Sequence, residues 1–144
     1  MDKILVADLP SMDARYSAAF TGWPLVFVRS MEEASAALEA PHYDAIAIGV
    51  YFDDSQMFDL VRAIRSHEVH NEVPVLCVRG AGQNELPVAC IRCQRFVSPA
   101  LSIEGLELAA QAAACNLFLD LTKYPDDAAG NAEARKRLET LFTS

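Results

Sequence analysis

"DAIAIGV" (residues 44–50) decides the fold. After Asp44 its apolar residues follow one another without polar alternation, and the run gives way to the polar loop "YFDDS" (51–55). A strand with one wet face alternates; an unbroken apolar run belongs to a strand covered on both faces, as in a parallel sheet. In such sheets the loops at the C-terminal strand ends hold the site. This strand ends at Gly49, which has no reactive side chain, and two carboxylates, Asp53 and Asp54, follow in the loop.

Runs of the same kind lie on either side. "KILVA" (3–7), "PLVFV" (24–28) and "VPVLCV" (73–78) read as strands, and "QRFVS" (94–98) as a fifth, less apolar one. Between them the apolar residues recur at helical spacing. Met12, Tyr16, Ala19 and Phe20 line a helix over 11–21, and Met57, Leu60, Val61 and Ile64 line one over 55–66. Ser30 caps another, with Glu32 and Glu33 in its first turn, where carboxylates favour the helix dipole.

A short helix is expected near Asn84 to Cys90, and a long one from a cap at Ser102, with Glu104 near its start, to about Thr122. Tyr124-Pro125 breaks it, and Asp126 or Asp127 caps a last helix with Ala134, Leu138, Leu141 and Phe142 on one face. Strands alternating with amphipathic helices make the chain α/β: a doubly wound sandwich on a five-stranded parallel sheet, with an extra C-terminal helix. Residues 1–124 form the domain, and 125–144 a helical extension packed on it or at a dimer interface.

The 144 residues suit one core, and 52% apolar residues are enough to fill it. A net charge of −8 argues against direct nucleic-acid binding and against anionic membrane surfaces. No apolar stretch approaches the roughly 20 residues that span a bilayer, and "MDKILVADLP" lacks a signal-peptide pattern. The chain is expected in the cytoplasm, with Cys77, Cys90, Cys93 and Cys115 as reduced thiols.

"KILVAD" at the start, "YDAIAIG" at the third strand, "VPVLCV" at the fourth and "FVSPALSIEGL" at the fifth stand in an order that resembles the receiver domain of bacterial response regulators, a flavodoxin-like (βα)5 fold of the CheY-like superfamily. The resemblance covers roughly residues 2–122. It implies a phosphoacceptor aspartate at the end of the third strand and Mg²⁺ held by that aspartate and an acidic pair after the first. It also implies a Ser or Thr after the fourth strand and a Lys before a Pro after the fifth, both reaching the phosphoryl oxygens. Phosphoryl transfer is mainly positioning and charge neutralisation, so the chemistry needs the set together.

Carried over residue by residue, the set is broken. The acidic pair becomes Asp8 and Leu9, the acceptor Gly49, the hydroxyl Arg79, and the lysine Ser98, still followed by Pro99. The fifth-strand aromatic of the pattern becomes Arg95. Asp53 and Asp54 lie four or five residues past the strand end. At about 3.3 Å per extended residue, the loop must fold sharply back to bring them to the acceptor's place. With Asp8 they would make an oxygen set for a divalent cation; the plainer reading is a turn with a helix cap at Asp54 or Ser55. Arg79 could pair with Asp8 across the pocket, which would put a fixed positive charge where a metal would sit, or point to solvent.

Three other features invite a reading. Cys90 and Cys93 form C-x-x-C after a helix rather than at its N-terminus, which favours packing over redox chemistry. A zinc site would need further ligands. His67 and His70 could share a metal but stand where helices ordinarily end in polar residues. Trp23 before Pro24 reads as a packed loop anchor. "NLFLDLTKY" (116–124) is apolar around most of a helix circumference, so Leu117, Phe118 and Leu121 need cover, from Leu138 and Phe142 of the last helix or from a second subunit.

The function expected is a non-phosphorylatable pseudo-receiver: no enzyme, no cofactor or metal, acting through a protein partner in two-component-type signalling, with a homodimer in reach. The alternatives are a small-molecule or divalent-metal binding domain at the strand-end pocket and a thiol redox sensor using Cys90 and Cys93.

Overall fold

The strands lie where the apolar runs put them, with one displacement. In the computed structural model, which describes residues 3–40, 42–80 and 103–142, β1 (Ile4–Ala7), β2 (Leu25–Val28), β3 (Ala45–Gly49), β4 (Val75–Arg79) and β5 (Leu117–Asp120) form one sheet. Their order is β2-β1-β3-β4-β5, and every pairing is parallel. The three inner strands are buried along nearly their whole length, as unbroken apolar runs require.

Alternation along each strand sends side chains to two cores. Leu5, Ala7, Ile46, Ile48, Val75, Cys77 and Phe118 face one cluster, completed by α2 (Met31–Ala37), α3 (Phe52–Ser55), α4 (Met57–Arg65) and Ala110 of α5 (Ile103–Ala112). Ile4, Val6, Ala45, Ala47, Leu76, Val78 and Leu119 face the other, under α1 (Asp13–Ala19) and α6 (Ala128–Glu139). The sheet is thus covered on both faces, the doubly wound arrangement expected, and its site side is the edge where Asp8, Gly49, Arg79 and Asp120 end or follow their strands.

The fifth strand is the displacement. The helix expected over 102–122 stops at Ala112, and the sheet's fifth strand is Leu117–Asp120; the strand proposed at 94–98 lies outside the described residues. Ala114 takes a left-handed φ of 70°, and the Cys115 N–H returns to the Ala110 carbonyl at 3.0 Å, a hydrogen-bonded C-terminal stop. Asn116 then donates to the Val75 carbonyl at 2.8 Å and starts the pairing with β4. "NLFLD" was apolar around too much of a helix because it is a strand with both faces covered.

The last helix belongs to the same core. Asp127 Oδ1 accepts the Gly130 N–H at 2.8 Å and caps α6, as the sequence predicts. Ala134 and Leu138 are fully buried, and a Cβ on Gly130 would stand 1.8 Å from the Pro125 carbonyl oxygen. Buried Arg15 of α1 donates to Asn131 Oδ1 and to the Tyr124 carbonyl, both at 2.7 Å. Leu121 and Leu138 are therefore core, Phe118 is buried, Leu117 half-buried, and only Phe142 of that group is exposed. Phe142 stacks near Trp23, over whose ring Arg135 sits at 4.3 Å, so Trp23 does anchor its loop.

Two further expectations change. Cys77 and Cys115 are joined by a disulfide, so these two are not the reduced thiols expected; Cys90 and Cys93 lie outside the described residues. His70 is buried, with Nε2 3.0 and 2.9 Å from the Leu38 and Ala40 carbonyls. Two acceptors facing one ring nitrogen require that nitrogen to carry the proton, so His70 ties the end of α2 to the turn after α4 rather than holding a metal.

Candidate functional site

The strand ends divide into two corners. At the first, Asp8 follows β1 with only 1% of its surface exposed. Its Oδ1 accepts the Leu9 N–H at 2.7 Å and its Oδ2 the Tyr16 hydroxyl at 2.6 Å. Tyr16 is itself fully buried. Burial, then the charge of Asp8 and the hydrogen bond to it, push the phenol well above its ordinary value of 10.0, so it stays a donor.

Gly49 ends β3 directly against this carboxylate. A Cβ built there would lie 2.1 Å from both Asp8 Cγ and Asp8 Oδ1, far inside the distance of any non-bonded contact. Asp8 therefore occupies the space into which an acceptor side chain at position 49 would project. Glycine is required here for close approach, not for an unusual φ.

Around this corner the charges are already paired. Arg29, just past β2, donates from Nη1 to the Asp8 carbonyl at 3.1 Å and to Asp13 Oδ1 at 2.8 Å, and its Nη2 pairs with Asp13 Oδ2. The Asp13 hydrogen bond is the main reason the Arg29 guanidinium holds its proton even more firmly than usual. Asp53, in the left-handed region at φ 44°, accepts the Met31 N–H at 2.8 Å. It thus caps α2 from α3, beside Ser30, whose Oγ accepts from the Glu33 N–H. Neither earlier reading of Asp53, pocket ligand or free turn residue, describes this; the side chain of Asp54 lies outside the described residues.

At the second corner Arg79 ends β4 and turns to β5, not to Asp8. Its Nη1 is 3.3 Å from Asp120 Oδ1 and 3.0 Å from Thr122 Oγ1. Asp120 Oδ1 also accepts the Thr122 N–H at 3.0 Å and its hydroxyl at 2.5 Å. Asp120 Oδ2 is buried with no hydrogen-bond partner. Asp120 ends β5, the strand paired with β4, and so puts an acid at this end of the described sheet. Ser98 and Arg95 lie outside the described residues.

Sequence reading found Asp8, Gly49 and Arg79 and missed Tyr16, Arg29, Asp13 and Asp120. Tyr16 read as one of four apolar positions, and its hydroxyl gave no sign of its partner. A Mg²⁺ site does not fit these residues: Leu9 is not acidic, Gly49 has no oxygen to offer from a side chain, and both Asp8 oxygens accept from the protein. Among the described residues no group of three His, Cys, Asp or Glu could hold a metal.

No protein-family model matches the chain, and no curated protein matches it in sequence. Solved structures do match its fold. A protein assigned as a response regulator in Chloroflexus aurantiacus J-10-fl superposes with a TM-score of 0.71 at 16% identity, covering 99% of this chain and 98% of its own. A Thermotoga maritima response regulator gives 0.68 at 14% identity, with 100% and 99% covered. The receiver domain of a sensor histidine kinase from Pseudomonas aeruginosa PAO1, solved with magnesium in its active-site cleft, gives 0.64 at 19%, with 99% and 98% covered. Across its described residues the chain has the CheY-like, flavodoxin-like fold of these receiver domains.

Proposed function

We propose that this chain is a pseudo-receiver: a signalling module of receiver fold that takes no phosphoryl group and works by binding a protein partner. The reading rests above all on the Asp8 carboxylate, which fills the acceptor's space over Gly49. The receiver fold of its neighbours supplies the two-component context. Arg79 and Asp120 support the reading from the other corner, because the cation there is spent on an acid of the same chain. With Gly49 at the acceptor position and, among the described residues, no set of metal oxygens, the module in this reading is not an enzyme, and output passes through contacts with another protein. Among the described residues no helix is long and apolar enough to cross a membrane.

The test is incubation with acetyl phosphate and Mg²⁺, read by intact mass and by acid-stable and hydroxylamine-sensitive label. The expected outcome is no added phosphoryl group at any aspartate, Asp53 and Asp54 included. A stoichiometric acyl phosphate would overturn the reading.

A further inference from the structure

We propose that Cys77 and Cys115 are a hydroperoxide-responsive thiol pair, whose reversible disulfide sets how firmly the turn between α5 and β5 is held to the sheet. Cys77 is fully buried in β4, and Cys115 is half-buried in that turn, packed against the same apolar cluster. Their Cα atoms are 6.6 Å apart across 38 residues of sequence, within the separation a disulfide spans. Neither cysteine belongs to a metal cluster among the described residues, so the pairing of the two sulfurs is the chemistry on offer.

The two positions divide the work. Cys115 follows a helix C-terminus, so exposure and the nearby partner sulfur, not the helix dipole, select it to meet the oxidant. Its sulfur attacks the peroxide, the O–O bond breaks, the thiol proton passes to the leaving oxygen, and a sulfenic acid and an alcohol (water, for hydrogen peroxide) result. The Cys77 thiol then displaces water from that sulfenic acid as the S–S bond forms. In sum two thiols lose two protons and two electrons, and the hydroperoxide is reduced. A dithiol reverses the step by exchange.

The turn is also held by hydrogen bonds that do not involve the sulfurs, which suits a switch rather than a permanent staple. Asn116 N–H donates to the Val75 carbonyl at 2.8 Å, and Asn116 Oδ1 accepts the Val75 N–H at 2.8 Å. Arg65 donates to the Ala114 carbonyl at 2.8 Å and to Asn116 Oδ1 at 2.8 Å. Reduction therefore loosens the turn without dismantling β5. A cross-link over this separation also removes freedom from the unfolded chain. None of the strand-end residues takes part in this chemistry, so the thiol pair and the absence of phosphorylation can each fail alone.

The experiment uses the full chain, reduced, desalted and exposed to equimolar hydrogen peroxide, then mapped by non-reducing tryptic digestion. A cross-linked peptide joining Cys77 to Cys115, two hydrogens lighter than its parts and reopened by dithiothreitol under native conditions, is expected. Amide hydrogen exchange at Cys115 and Asn116 should be several-fold slower in the oxidised protein, whose melting temperature should rise on the order of 5 °C. Cys115→Ser should abolish both changes while keeping the reduced protein's melting temperature. The proposal is overturned if both cysteines stay reduced, if either pairs instead with Cys90 or Cys93, if native dithiothreitol cannot reopen the bond, or if exchange is the same in both states.

Discussion

The two corners of the strand-end edge use the same kinds of group to opposite effect. At β1 and β3 a carboxylate is buried to 1% exposure, has a hydrogen bond on each oxygen, and sits against a glycine that leaves it room. At β4 and β5 a carboxylate of similar burial has one oxygen in three contacts and the other in none. The first corner is closed by packing and the second by a charge pair at the rim. Closure by packing leaves no volume for added chemistry, whereas closure by an ion pair only cancels a charge. The proposed pseudo-receiver reading therefore rests first on Gly49 under Asp8, and the Arg79–Asp120 pair is its second support.

The comparison breaks most visibly at Gly49. Gly49→Ala drives a methyl group into Asp8 at 2.1 Å, and overpacking of this kind costs about 3 kcal/mol, read as a lower urea midpoint at unchanged slope. Adding Asp8→Ala should return part of that loss, because the second change empties the contested space. A double-mutant cycle then gives a favourable coupling of about 1 kcal/mol or more. Strict additivity would mean that Asp8 is not what forces glycine at 49.

A smaller effect belongs to Tyr16. Tyr16→Phe leaves Asp8 Oδ2 buried without its donor, a loss of about 1–3 kcal/mol near neutral pH. The sign of the pH dependence follows from the raised phenol. The unfolded state loses the Tyr16 proton from about pH 10, before the folded state does. Its contribution is thus complete below that pH and lost as pH rises through the higher folded value. Tyr16→Phe should flatten this part of the alkaline unfolding curve, as well as lowering stability at pH 7. An alkaline limb identical in both proteins would show that the buried phenol does not drive it.

The sequence carried the fold where residues repeat a pattern, and lost the site where partners come from far away. "DAIAIGV" and "VLCV" announce inner strands because every residue is buried, whatever its partners. "NLFLD" announces the same thing but follows a helix after a short turn, and the left-handed Ala114 that separates them has no glycine to mark it. With the helix ending before Ala114, the residue that ends the strand beside β4 is Asp120. Asp8 and Gly49 were legible as positions but not as neighbours. Asp53 capping Met31 across 22 residues, and Arg79 choosing Asp120 over Asp8, follow from loop paths that no local spacing encodes.

The smallest effects lie at the second corner, and there the order of two substitutions is informative. Arg79 is the more exposed partner, with its side chain 19% accessible against 5% for Asp120. A partly exposed pair at 3.3 Å is worth little in itself, but removing the cation leaves a buried carboxylate with its second oxygen still unpartnered. Arg79→Met should therefore cost about 1–2 kcal/mol, through the acid left behind. Asp120→Asn keeps an acceptor for Thr122 and Arg79 and removes the buried charge, so it should cost less, about 0.5–1 kcal/mol. In the double variant the second change should add almost nothing, because the charge that Arg79 balanced is gone. Chemical denaturation of the three proteins at pH 7 ranks them directly. If Asp120→Asn proves the costlier change, the ion pair rather than the buried charge governs this corner, and its contrast with the packed corner at Gly49 narrows accordingly.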